Sequence, residues 1–339
     1  MAQGASSTPP RRTADGGSGI SGRLADRAVG VLLGAACGDA LGAPYEGIWN
    51  PPPQPEMSDG HAFRAGEWTD DTSLAVVIAE VAAGKADLRT PEALTAIGEG
   101  FLAWFREGAP GAGATTRAVL SAAGSGVDLP VMAHAHFERT GQGGSNGALM
   151  RTAPVALAAL GDDRRLVESA MAVASLTHAD LVAGEACAIW CVAIDRAIRE
   201  DRLDGVWEAL PLLLPEVRDR WFRWLKEAAT QPAANFKPNG YAPRCLQAAL
   251  AAILQTPGSG LMDSIVAAVR VGDDTDTVAA VAGALLGARW GATAIPGSWR
   301  SMLYDRWGRT AEDLERVART IVGRPSPGNS PRLTAGRGG

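Results

Sequence analysis

The chain has 339 residues, 46% of them hydrophobic, enough apolar side chain for one large core or two smaller ones. A formal charge of −5 excludes a protein that binds nucleic acid mainly through a basic face, so nucleic acid is not expected as a primary partner. No apolar run nears the roughly 18–20 residues of a membrane span, and no membrane association is expected.

Residues 1–21 are polar and rich in Gly, Ser and Pro, and read as a disordered tail. No apolar segment follows Arg11 and Arg12 in the manner of a secretory signal. The first expected helix covers 24–40, where Leu24, Ala28, Val31, Leu32 and Ala35 fall at helical spacing. Gly34, Gly38 and Gly42 recur every fourth position, along one face where another backbone or a ligand can approach closely. Asp39 lies inside this small-residue helix and Glu46 just beyond it. Carboxylates in such surroundings are either at a surface or at work.

A Pro-rich loop, 51–55, leads past His61 to Glu67-Trp68-Thr69-Asp70-Asp71-Thr72. Thr and Asp favour helix starts, and an apolar run follows at 74–78. Adjacent carboxylates there gain from the helix dipole but repel each other. Alone, the pair is most simply a solvated cap. Helices are expected next at 74–83, at 91–107 (with Thr90 as N-cap and Pro91 at the first turn), and at 115–123. The glycine loop at 108–113 and a second at 141–147 each precede an expected helix. Such loops either remain flexible or present backbone N–H groups to a phosphate. Neither is followed by Gly-Lys-Ser/Thr, so neither is a Walker loop.

The second loop opens 148–160, which Pro154 is expected to kink or delay. Helices at 166–176 and 184–199 meet at Thr177-His178-Ala179-Asp180, where His178 is a cap or a ligand-site residue. Then come 207–214, 221–229, a polar loop at 235–241, and helices at 244–255 and 261–270. At 272–277 the sequence reads Gly-Asp-Asp-Thr-Asp-Thr, again opening an apolar helix, 278–290. With two acidic helix starts in one chain, a metal cage overtakes the solvated cap, because hard divalent cations take oxygen ligands. Helices at 299–306 and 311–322 follow, then a second disordered tail, 324–339. Almost no strand pattern is present, so the fold class is all-α, with one compact domain over 22–323. Cys37, Cys187, Cys191 and Cys245 read as core thiols of a reducing cytoplasm; no zinc spacing is present.

Taken together, five blocks resemble the ADP-ribosylglycohydrolase family. They are Gly34 to Glu46, Trp68 to Thr72, Gly144 to Pro154, Thr177-His178 and Gly272 to Thr277, in the family's order. The resemblance implies an all-α, orthogonal helical domain holding two Mg²⁺ or Mn²⁺. The implied ligands are Thr69, Asp70, Asp71, Asp274, Asp276 and Thr277. Glu46 falls on the family's catalytic glutamate. Ser145, Asn146 and Gly147 fall on the stretch that holds the ADP-ribose phosphates and ribose, with His178 and Gly113 beside that cleft. Two positions depart from the pattern. Asp273 stands where glycine is expected. Gly111 stands where arginine-directed members carry an acid, which points instead to O-linked ADP-ribose, as on serine.

The implied reaction is metal-dependent hydrolysis of the bond between ADP-ribose and a modified arginine or serine. Its partner would be an ADP-ribosylated protein or a small ADP-ribose conjugate. Two cations about 3.5–4 Å apart suit such chemistry. The alternatives are a hydrolase of another ADP-ribose-like compound and a non-catalytic ADP-ribose-binding protein, since the family includes crystallin-like members. A two-metal phosphoesterase fits less well. Such sites usually recruit histidines, and the chain has only His61, His134, His136 and His178.

Overall fold

In a computed structural model the chain is described over residues 16–84, 86–256 and 260–323, with side chains from residue 22. The helices are α1 (Gly16–Gly42), α2 (Asp70–Ala83), α3 (Pro91–Arg106), α4 (Ala114–Ala122), α5 (Leu129–Thr140), α6 (Ala153–Ala158) and α7 (Asp163–Ser175). They continue as α8 (Leu181–Glu200), α9 (Pro215–Thr230), α10 (Ala242–Leu254), α11 (Gly260–Val269), α12 (Thr275–Trp290), α13 (Gly297–Arg300) and α14 (Ala311–Val322). Among the described residues β-pairing is limited to isolated bridges such as Ser145–Tyr241. The fold is all-α. The tails expected to be disordered lie outside the described residues, except that 16–21 belong to α1.

The architecture is built on α1 and α12, which pack along their length. The glycines every fourth residue explain why. A Cβ on Gly34 would strike the Gly283 carbonyl, and a Cβ on Gly283 would strike the Gly34 carbonyl. Gly30 and Gly287 exclude each other's Cβ in the same way, and a Cβ on Gly38 would enter the Ala279 carbonyl. The two backbones therefore touch directly, and the stripe serves helix packing. Against the sequence expectation, α1 is long and apolar enough to cross a membrane by composition, with mean hydropathy 1.3 over its window. That window is 89% buried inside the fold, as a central core helix must be. α11, α10 and α8 pack on α12, and α14, α2 and α6 on the α1 side, around one apolar core.

Three expected elements differ, and one helix is additional. Residues 148–160 give a 3-10 turn, Asn146–Ala148, and then the short α6, with Pro154 in its first turn. Residues 207–214 give two 3-10 turns, Gly205–Trp207 and Leu210–Leu212, because Pro211 lacks the N–H to carry a helix through. At 299–306 the helix stops at Arg300. Tyr304 instead bridges to Glu67 and Thr310, and its carbonyl accepts the Trp68 N–H at 3.1 Å. α5 was not anticipated. It follows a capping box between Ser125 and Asp128, has Pro130 in its first turn, and ends on Gly141 at φ 68°.

Candidate active site

The first acidic cluster is set by a residue from another helix. Asp39 of α1 is fully buried and accepts the N–H groups of Thr69 and Thr72, both at 3.0 Å, and the Thr72 hydroxyl at 2.6 Å. It thus caps α2 from outside. Thr69 is itself the N-cap, its hydroxyl accepting the Asp71 N–H at 3.4 Å. The C-terminal end of α1 therefore fixes where Asp70 and Asp71 begin.

The second cluster is seated by the same end of α1. Thr275 donates its hydroxyl to the Gly42 carbonyl at 2.8 Å, and a Cβ on Gly42 would stand 2.5 Å from Asp276 Cα. The 235–241 loop closes over it. Asn239 Oδ1 accepts the Asp274 N–H at 3.0 Å, and Asp273 Oδ2 accepts the Asn239 N–H at 2.8 Å. Asp273, the unexpected acid, is in the left-handed region at φ 69°. Its N–H donates to the Ile48 carbonyl at 3.0 Å, and its carbonyl accepts the Gly47 N–H at 2.7 Å. It thereby ties down the loop that carries Glu46.

The clusters meet. Thr277 donates to Asp71 Oδ1 at 3.3 Å, across 206 residues of chain. A cleft of about 300 Å³ opens above them. Glu46, Asp70, Asp71, Asp274, Asp276 and Thr277 line one side. Gly111, Gly113, Thr115 and Thr116 line another, where the uncapped start of α4 presents its N-terminal turn. Ser145, Asn146 and Gly147 complete it, with Gln142, Met150 and Gly240. Asn146 Nδ2 donates to Asp274 Oδ2 at 2.8 Å, joining the polar loop to the acids.

Two expected site residues do not line the cleft. Thr69 is buried in its capping role. His178 is 2% exposed and sits behind Ser145, whose Oγ lies 2.7 Å from its Nε2. A ligand in the cleft would meet His178 only through Ser145. Thr115, Thr116, Gln142, Asn239 and Gly240 escaped the sequence reading. Only Gly240 carried a signal, as a glycine in a polar loop. Asp39 was noticed, but its capping partners lie thirty residues on and were not legible.

Electrostatics make the acids an unstable group by themselves. Burial, and then the Asp39 charge, push Asp70 up to about 8. Burial and the neighbouring aspartates hold Asp71 and Asp276 well above the usual carboxylate range. Burial raises Asp39 to about 6 despite its hydrogen bonds. Glu46 keeps contact with solvent at the mouth of the cleft, yet enough protein surrounds it to raise its pKa, with Asp274 adding and His61 opposing.

The donors suit a hard dication, being carboxylates and hydroxyls only, and Asp71 Oδ2 is buried without a hydrogen-bond partner. Among the described residues, no three His, Cys, Asp or Glu side chains already converge at ligand spacing. The acids share one cleft without being drawn to one point.

Residues 21–329 match the family model described as ADP-ribosylglycohydrolase. The chain is 30% identical to ADP-ribosylarginine hydrolase Tri1 of Pseudomonas putida, over 81% of this chain and 73% of that protein. It is 28% identical to the ADP-ribosyl-[dinitrogen reductase] glycohydrolase of Rhodospirillum rubrum, over 82% of this chain and 90% of that one. A solved structure described as an ADP-ribosylglycohydrolase-related protein complex superposes with a TM-score of 0.69 at 30% identity, covering 89% of this chain and 99% of that one. The cleft, the fold and these likenesses agree: the chain belongs to the ADP-ribosylglycohydrolase family of glycosidic-bond hydrolases.

Proposed function

We propose that this hydrolase removes ADP-ribose from a modified arginine side chain, with Mg²⁺ or Mn²⁺ held by Asp70, Asp71, Asp274, Asp276 and Thr277. The observation that carries the reading is the meeting of two acidic helix starts, at Thr277 and Asp71, in a cleft also lined by a helix N-terminus. The first suits cations; the second suits the phosphates of ADP-ribose. When bound, such cations would supply Lewis-acid activation of a water. Ser145, Asn146, Gly147 and the α4 start hold the substrate's phosphates and ribose.

Water attacks the ribose anomeric carbon through an oxocarbenium-like state, its oxygen replacing the guanidine nitrogen. Glu46 takes a proton from the attacking water or supplies one to the departing nitrogen. A carboxyl whose pKa is raised by its surroundings suits that exchange. The arginine linkage is supported by the named activity of the Pseudomonas relative.

A second reading, an O-linked substrate such as ADP-ribosyl-serine, is favoured by Gly111. It lies at φ 87°, and a Cβ there would stand 2.5 Å from Asp70 Oδ1. A side chain there would have to displace the Asp70 carboxylate from a backbone conformation that favours glycine, so an acid facing a guanidinium does not fit this arrangement. The test is ADP-ribose release from arginine-linked and serine-linked peptides, each with Mg²⁺, Mn²⁺ or EDTA, beside an Asp70→Ala/Asp71→Ala control. Metal-dependent release from arginine supports the first reading, and release from serine alone the second. Release in EDTA, or by the control, would refute the metal assignment. Glu46→Gln should keep metal binding and lose at least 100-fold in kcat.

A further inference from the structure

Behind the phosphate-facing wall runs a buried chain of hydrogen bonds. Arg151 is fully buried, stacks 4.5 Å over the Phe101 ring and makes no ion pair among the described residues. Its Nη2 donates to Thr177 Oγ1 at 2.6 Å. Thr177 Oγ1 lies 2.7 Å from His178 Nδ1, and His178 Nε2 lies 2.7 Å from Ser145 Oγ. Ser145 lines the cleft. Arg151 Nε and Nη1 remain without partners, so the guanidinium has one hydrogen-bonded outlet, toward Thr177.

Proton counting gives this chain a direction. A guanidinium only donates, so the Thr177 oxygen accepts from Arg151. The Thr177 proton, buried, then needs an acceptor, and the neighbouring group placed to accept it is His178 Nδ1. Were Nδ1 protonated, both it and the Thr177 hydroxyl would be donors facing each other, and one would be stranded at a cost of about 1–3 kcal/mol. Nδ1 is therefore bare, and Nε2 carries the ring proton and donates to Ser145 Oγ. The Ser145 hydroxyl is left to point its own proton into the cleft. Burial holds His178 well below its usual pKa, in keeping with a neutral ring.

We infer that Thr177 and Arg151 are positioning residues. They lock His178 as the Nε2–H tautomer, and so make Ser145 an obligatory hydrogen-bond donor to an anionic oxygen of the substrate, a phosphoryl oxygen. Each link polarises the next, so the charge of Arg151 is carried as a bond dipole to the cleft surface while the guanidinium itself stays hidden. The identity of that anionic group rests on the ADP-ribose reading; the tautomer does not.

The test begins on the wild-type protein. Two-bond ¹H–¹⁵N correlation of the His178 ring, assigned by loss of its signals in His178→Gln, should show a proton on Nε2 and none on Nδ1. An Nδ1–H ring or an imidazolium overturns the inference. ADP-ribose affinity is then measured by calorimetry. Thr177→Val should bind about tenfold more weakly and show mixed tautomers, while Thr177→Ser restores both. Arg151→Met should weaken binding with the ring still neutral. Wild-type affinity in a folded Thr177→Val also overturns it. If wild type binds no ADP-ribose, the proposed activity fails, while the tautomer remains readable.

Discussion

The contact between Gly42 and Asp276 allows a direct test of how the fold sets the site. In Gly42→Ala the new Cβ would stand 2.5 Å from Asp276 Cα and N and 2.6 Å from the Thr275 carbonyl carbon. Ordinary carbon–carbon contacts lie near 3.5–4.0 Å. All three obstacles are backbone, so the start of α12 must move by about 1 Å. Overpacking of this kind costs about 1–3 kcal/mol. For a domain of this length that is a fall in Tm of roughly 2–5 °C. The larger effect belongs to function. Asp274, Asp276 and Thr277 move with the helix start, and a misplacement of about 1 Å costs on the order of 100-fold in rate.

Gly34→Ala supplies the comparison. It collides with Gly283 in the same helix pair, two turns from the acids. It should lower Tm as much while leaving kcat/KM within about fivefold of wild type, the rate loss fading with distance from the reacting atoms. Differential scanning calorimetry and ADP-ribose release read the two effects separately. Equal activity losses in both variants, or wild-type Tm and activity in Gly42→Ala, would refute the claim that this backbone contact sets the acid clusters.

Two more outcomes follow from the site. Asp39, Asp70, Asp71 and Asp276 have folded-state pKa values above their unfolded value of about 3.9, so they favour folding while protonated. In EDTA, their contribution to stability should be largest below about pH 4 and should be lost as pH rises through about 8, the value for Asp70. Added Mg²⁺ or Mn²⁺ should flatten that decline in thermal melts; a flat profile in EDTA would contradict the assigned repulsion. Asp273→Gly relieves a left-handed residue but removes the bond to the Asn239 N–H, terms of about 1 kcal/mol each and opposite in sign. Its Tm should stay within about 2 °C of wild type while kcat falls several-fold as the Asn239 loop that seats Asp274 loosens; unchanged kcat would remove the Asp273 side chain from the seating of Asp274.

Much of the site was legible because its signals are local. Asp70-Asp71 and Asp274-Thr275-Asp276 announce themselves as acids at helix starts, and the glycine loops as openings. What joins them was not. Asp39 reads as an odd carboxylate until its partners at Thr69 and Thr72 are seen, and Asn239 reads as an ordinary loop residue until it meets Asp273 and Asp274. The glycine stripe could be placed on one face of α1, but its partner stripe on α12 is 250 residues away, so packing and ligand contact could not be separated. His178 was recognised by its type, whereas its depth behind Ser145 depends on three elements converging. α5 was hidden for a plainer reason. Val131 is exposed, and Leu129 and Ala133 are buried between polar neighbours, leaving little periodicity to read.

The end of α1 touches both acidic helix starts, through Asp39 to α2 and through Gly42 to α12. The two halves of the site are therefore bolted to a single beam, and their spacing is gauged by two residues of that beam and not by the long path of chain between them. Intervening loops can lengthen, shorten or diverge in sequence without changing the gap in which the chemistry takes place.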